Sequence, residues 1–259
     1  MTLNTWTPKT WSEFIGETNR PYIERLQTSA IRRAPPRPVL LIAPFGGGKS
    51  ALGDFLIKSH ACPNITPTGD PCHACYDCQI VLPAQNGMGQ SYLRYTEDCH
   101  LLRTDRERLI DVLDVMQQED KVAVFFDELH GLGRNLNLLL TVLPKFQGIF
   151  VAAIKDTEYH KLPPELFDRF RKVWLQIPTV DELVQFFCNK AGSLGIKADA
   201  LHVGVMVEGC GRSFRTCLDI LQAALDRSPA VLDRRLLEEF FDLDPSAARL
   251  LDEPSRPPQ

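Results

Sequence analysis

The sequence predicts an α/β protein, a parallel five-stranded sheet covered by helices on both faces and followed by a small all-helical unit. Three observations carry this. Strand patterns fall near 39–43, 91–96, 121–126, 149–153 and 173–177. Those at 39–43 and 121–126 are continuous apolar runs rather than alternating ones, as strands buried on both faces require. Between them lie segments of helical periodicity, near 19–32, 49–59, 105–118, 133–143 and 163–169. After Pro178 the strand pattern stops and helical patterns alone remain, near 180–194, 199–209, 213–227 and 232–241. The predicted organisation is a core over 1–178 with a Cys-rich insertion at 60–80, a helical lid over 179–228, and a C-terminal helix with a flexible tail over 229–259.

Composition narrows the function classes. The 259 residues are 44% apolar and 24% charged, enough for a substantial core. No apolar run approaches the ~20 residues of a membrane span, so no membrane partner is expected. The N-terminal Met-Thr-Leu-Asn-Thr-Trp lacks a charged-then-apolar leader pattern, which points to the cytoplasm. A net charge of −4 argues against a uniformly basic surface. Contact with DNA would need a local patch or an assembled pore.

The first strand ends in Ala43-Pro44-Phe45-Gly46-Gly47-Gly48-Lys49-Ser50-Ala51. Glycines let backbone N–H groups curl around phosphate oxygens, and the following helix N-terminus adds partial positive charge. Lys49 can reach the outer phosphates and Ser50 can ligate Mg²⁺. These nine residues are the candidate triphosphate-binding loop, although Ala43 stands where a Gly is usual. A second apolar run, Val122 to Phe126, ends in Asp127 and Glu128. Ligands bind at the carboxyl ends of strands in open α/β sheets. Asp127 there can hold the Mg²⁺ shell, and Glu128 can polarise the attacking water.

Four of eight cysteines crowd one stretch, Cys62, Cys72, Cys75 and Cys78. This spacing, with Pro and Gly between, suits four thiolates converging on Zn²⁺, and His73 is a possible substitute for one of them. Four thiolates leave no open position, so the metal would be structural. Cys99, Cys188, Cys210 and Cys217 are scattered and read as small core fillers.

The apolar run with Asp127-Glu128-Leu129-His130, then Leu166-Phe167-Asp168-Arg169-Phe170, then Gly211-Arg212-Ser213-Phe214-Arg215, resembles the motif order of AAA+ ATPases. The nearest branches are bacterial sliding-clamp loaders and Holliday-junction branch-migration motors. Trp11-Ser12-Glu13-Phe14-Ile15-Gly16 resembles that branch's opening segment, which places Ile15 near the adenine. The resemblance implies ATP, Mg²⁺ and hydrolysis in a ring or partial ring of like or unlike AAA+ subunits. It implies that Arg169 completes a neighbour's site and that Arg215, with Arg212 as competitor, senses nucleotide from the lid. It also implies action on DNA in replication, recombination or repair. Clamp loaders carry a similar zinc module in the same place, which supports the Cys₄ reading.

Two departures qualify the resemblance. The family has Thr or Asn after the fourth core strand to orient water, and this chain has Ile154-Lys155-Asp156-Thr157. A nucleotide-gated scaffold or mobile-element targeting ATPase with little hydrolysis is therefore one alternative, and a protein-remodelling ATPase with a pore loop in 83–93 is another. Only a short helix and tail follow the lid, so a partner protein is expected to supply targeting.

Overall fold

The computed structural model describes residues 7–33, 37–79, 87–88 and 93–241. The segment 83–93 lies mostly outside the described residues, as does the tail from 242. The described chain divides into two compact units, Thr7–Gln176 and 177–241.

In the first unit, helix α1 (Arg20–Ile31) leads to strand β1 (Val39–Ala43), helix α2 (Lys49–Ala61) and a single turn α3 (Tyr76–Gln79). Strands β2 (Gly87–Met88) and β3 (Leu93–Asp98) follow, then α4 (Cys99–Leu102), α5 (Arg106–Gln118) and β4 (Val122–Asp127). A 3₁₀ segment (Leu129–Asn135), α6 (Leu136–Val142), β5 (Ile149–Lys155), α7 (Pro164–Phe167) and β6 (Arg171–Trp174) complete it. The sheet order is β2-β3-β4-β5-β1-β6. Five strands run parallel, as the apolar runs require, and the two-residue β2 adds an antiparallel pairing to β3.

Side chains on a strand alternate between faces, and both faces here are apolar. Leu40, Ile42, Val124, Phe126, Phe150 and Ala152 meet the side formed by α4, α5, α6 and α7. Val39, Leu41, Ala123, Phe125 and Val151 meet α1 and α2. Helix α2 lies hard against β4: a Cβ at Gly53 would sit 2.5 Å from the Phe125 ring.

Strand β3 ends two residues later than expected, β5 runs two residues longer and β6 starts two residues earlier, and two further boundaries differ for local reasons. The helix expected over 133–143 is broken at Gly133, whose φ of 56° and ψ of −122° are non-helical. The last strand ends at Trp174 rather than near 177. Pairing stops because the buried Asn19 takes over Gln176: its Oδ1 accepts from Gln176 N at 2.8 Å and its Nδ2 donates to Gln176 O at 2.9 Å.

The second unit consists of α8 (Val180–Ser193), α9 (Ala200–Gly209), α10 (Phe214–Leu225) and α11 (Arg234–Phe241). A capping box of Thr179 and Glu182 starts α8, while Asp199 and Ser213 cap α9 and α10. Leu183, Phe187, Val203, Met206, Cys217 and Leu221 are buried. Cys217 is thus a core residue, and so is Cys99 in the first unit.

Candidate nucleotide site and thiolate cluster

The register of the sheet sets the site. Ala43 pairs with Lys155, and Asp98 with Asp127, while Phe126 pairs with Ala152, so β1 and β5 end together two residues beyond the common end of β3 and β4. Gly46 and Gly48 take left-handed φ values of 75° and 78°, which L side chains avoid. The chain therefore turns tightly out of β1 and into α2. A Cβ at Gly48 would meet nothing within 4 Å, so this side of the loop is open for a phosphate group.

Lys49 is 7% exposed, and its Nζ donates to Ala43 O and Pro44 O at 3.0 Å each. Desolvation lowers its pKa, with Glu128 and Asp127 opposing. The ammonium is thus held in the loop mouth by weak neutral acceptors that a phosphate oxygen can replace. Ser50 Oγ donates to Asp127 Oδ2 at 2.9 Å, and Asp127 Oδ1 accepts from Glu128 N at 2.9 Å. The two candidate Mg²⁺ ligands thus touch across 77 residues of sequence. This donor set, one hydroxyl and one carboxylate beside an open N–H cradle, suits a magnesium–triphosphate pair. Phe45, at the loop's outer edge, is 71% exposed.

Glu128 follows in a left-handed conformation, φ 50° and ψ 51°, which costs about 1–2 kcal/mol for a residue with a Cβ. Its Oε1 lies 3.8 Å from Lys155 Nζ and its Oε2 lies 3.5 Å from His130 Nδ1. Lys155 therefore occupies the end of β5, where the family resemblance leads one to expect a water-orienting Thr or Asn. Ile15 is half-buried, and its carbonyl accepts from Asn19 Nδ2 at 3.4 Å. Arg169 is exposed just after α7. Arg215 lies in the first turn of α10, in the second unit, and Arg212 precedes it at φ 62°.

Sequence reasoning missed four participants. Lys155 was noticed for the residue it replaces, not for its reach toward Glu128. Asn19 looks like an ordinary helix-start residue, and no local signal marks its long-range bonds. His130 and His100 gave no spacing signal, because a tertiary approach joins them.

The cysteine cluster assembles as expected. The four Sγ atoms lie within 4.8 Å of one another, with 4.0 Å between Cys72 and Cys78 and 3.9 Å between Cys75 and Cys62. A tetrahedral Zn–S₄ centre with bonds of about 2.3 Å needs S–S edges of about 3.8 Å. Backbone amides of Cys72 and Cys75 donate to Cys62 Sγ and Cys72 Sγ, at 3.4 and 3.3 Å. Burial raises the Cys72 thiol, but the amides of Ala74 and Cys75 and the neighbouring thiols outweigh it and bring it down to about 6. Burial pushes the Cys75 and Cys78 thiols up instead, so of these three only Cys72 favours thiolate. It is the four-sulfur donor set and its spacing that fit a structural zinc ion. His73 turns elsewhere: its Nε2 is 2.7 Å from Lys9 O.

The module is tied to the segment carrying Ile15. Trp11 N donates to Asp70 Oδ1 at 2.7 Å and Trp11 Nε1 to Gly69 O at 2.9 Å. The Trp11 ring meets Phe55 of α2 edge-on at 4.8 Å.

No family model matches the chain. The fold is similar to the RuvB Holliday junction branch migration motor of Thermotoga maritima, with a TM-score of 0.61 at 17% identity, covering 92% of this chain and 73% of that one. A point-mutant form of the same protein gives a TM-score of 0.63 at 18% identity, covering 92% and 75%. Among curated proteins, chloroplastic ClpC2 of Arabidopsis thaliana is 26% identical over 178 residues, 64% of this chain. Chloroplastic ClpC of Pisum sativum is 27% identical over the same length. The chain spans less than a fifth of those relatives, 17% and 18% of their lengths. Among the described residues, no helix is long and apolar enough to cross a membrane. Sheet order, glycine loop and structural likeness agree on a parallel P-loop α/β fold similar to that of the RuvB motor.

Proposed function

We propose that this chain is a cytoplasmic, ATP-binding and ATP-hydrolysing AAA+ protein that assembles into a ring or partial ring and acts on DNA. The observation that carries the ATPase reading is the direct Ser50–Asp127–Glu128 connection beside Lys49 at the carboxyl ends of β1 and β4. The backbone from Ala43 to Ala51 wraps the phosphates, and Lys49 exchanges its two carbonyl acceptors for phosphate oxygens. Ser50 and Asp127 hold Mg²⁺, which when bound neutralises charge building on the phosphates. Glu128 orients the attacking water and receives its proton. Arg169 reaches the site of an adjoining subunit, Arg215 reports nucleotide from the lid, and Ile15 borders the base. The four thiolates hold Zn²⁺ as a brace. The DNA assignment draws on the likeness to a branch-migration motor, and a partner protein directs the assembly.

The Lys155–Glu128 approach favours a second reading, a nucleotide-gated scaffold that hydrolyses slowly. The Lys155 ammonium, 3.8 Å from Glu128 Oε1, competes with a water molecule for that oxygen. ATPase rates measured with and without DNA separate the two. Strong stimulation supports the motor, and tight binding with no turnover supports the scaffold. Stimulation by unfolded polypeptide instead of DNA would replace the motor with a remodelling ATPase, the direction in which the ClpC similarity points. In the motor, Arg169→Ala binds ATP but hydrolyses none in the assembled state. Mixing it with Glu128→Gln subunits restores part of the rate, and no restoration would count against an arginine acting across an interface.

A further inference from the structure

Beyond the glycine loop lies a second group of metal-ligating side chains that the nucleotide reading does not use as a set. His100, Glu128 and His130 each bring one donor atom within 4.8 Å of the others. The fold creates this meeting. Asp98 of β3 stands opposite Asp127 of β4, so the chain leaving β3 passes over the residues leaving β4. Asp98 then caps α4 by accepting from His100 N at 2.8 Å, which fixes the backbone of His100. Gly131 lets the two segments close up: a Cβ there would lie 2.7 Å from His100 N and 2.9 Å from the Cys99 carbonyl carbon. The rings of His100 and His130 meet edge-on at 5.1 Å.

Three features separate this group from a chance cluster. His130 Nδ1 and Glu128 Oε2 face each other at 3.5 Å, yet both are shielded and neither has a hydrogen-bond partner. That spacing is close to the donor–donor edge of about 3.3 Å around a tetrahedral zinc ion with bonds of about 2.0 Å. Glu158 Oε2, which also meets the Lys161 ammonium, lies 3.8 Å from His130 Nε2, the other ring nitrogen, and a small shift brings it to where an orienting carboxylate stands behind a metal-bound imidazole. Two imidazoles and one carboxylate suit Zn²⁺ or Ni²⁺ rather than Mg²⁺.

We propose that His100, Glu128 and His130 form a second divalent transition-metal site, with Glu158 as the positioning carboxylate behind His130. Ligation draws Glu128 away from water and from Lys155, so filling the site suppresses hydrolysis while the glycine loop still binds nucleotide. This regulatory consequence rests on the assignment of Glu128 above, whereas the metal site does not.

The test starts from protein whose Cys₄ cluster is filled with zinc, titrated with Zn²⁺ against a chromogenic chelator. Wild type binds one further ion per chain. His100→Ala and His130→Ala each weaken that second ion about a hundredfold, and Glu158→Gln weakens it about tenfold. Binding of a single ion by wild type, or of both ions equally by the His variants, overturns the site. Should a His variant fail to fold, Co²⁺-loaded wild type decides the matter: paramagnetically shifted imidazole proton signals support the site and their absence overturns it. With excess Mg²⁺ present, filling the second site lowers wild-type ATP hydrolysis about a hundredfold. An unaltered rate with the ion bound overturns the regulation. A chain that hydrolyses no ATP at all would remove the ATPase reading, and the ion count would still decide the metal site.

Discussion

The glycine loop and the cysteine module, two proposed ligand sites of one unit, are built in opposite ways. The loop is a main-chain device. Its shape comes from left-handed glycines between β1 and α2, and it stands ready without its ligand, with Lys49 resting on two carbonyls. The module is a side-chain device. Four thiols converge at the end of α2, and little apolar burial holds the stretch between Pro63 and Tyr76 together. Backbone pre-organisation lets a ligand come and go, whereas thiolate convergence needs its ion to remain folded.

The largest expected effect is on the module. Removing zinc with a chelator forfeits on the order of 10 kcal/mol of local stabilisation. Hydrogen exchange over 62–79 then rises steeply, while ATP affinity falls less than about tenfold. An equal collapse of both would show that the two sites are one cooperative element. Next comes the joint between them. Trp11→Ala removes the Phe55 contact and the indole hydrogen bond to Gly69, costing about 3–5 kcal/mol in thermal unfolding. Stability within about 0.5 kcal/mol of wild type would sever the link drawn here between module and opening segment.

Lys49→Ala should reduce ATP affinity about a hundredfold, near 3 kcal/mol by calorimetry, with the melting temperature almost unchanged. Unaltered affinity would remove the triphosphate assignment and with it one side of the contrast. The smallest effect lies outside both sites. Thr179→Ala breaks the capping box of α8 and lowers stability by about 1 kcal/mol without touching ATP affinity. A change in affinity would reveal coupling from the second unit to the loop.

Much of this was legible in the chain itself. Continuous apolar runs announced β1, β4 and β5 because a strand buried on both faces leaves no room for alternation. The loop was legible because its conformations need glycines in consecutive order, a local requirement written in local sequence. The cysteine set was legible because its ligands fall within 17 positions, Cys62 to Cys78. Boundaries were less so: Gly133 looked like a tolerable helix residue, and its φ and ψ show that it breaks one.

The order of residues along the chain sets the chemistry on offer: which side chains can grip phosphate, hold Mg²⁺ or bind zinc. Which of them meet follows from the folding of the sheet. Ser50 reaches Asp127, Asn19 captures Gln176, Lys155 and His130 approach Glu128 from either side, and His100 arrives over Gly131. The physical reason is that a parallel sheet aligns the ends of strands distant in sequence, and the contacts made there depend on register and close approach, which have no period along the chain.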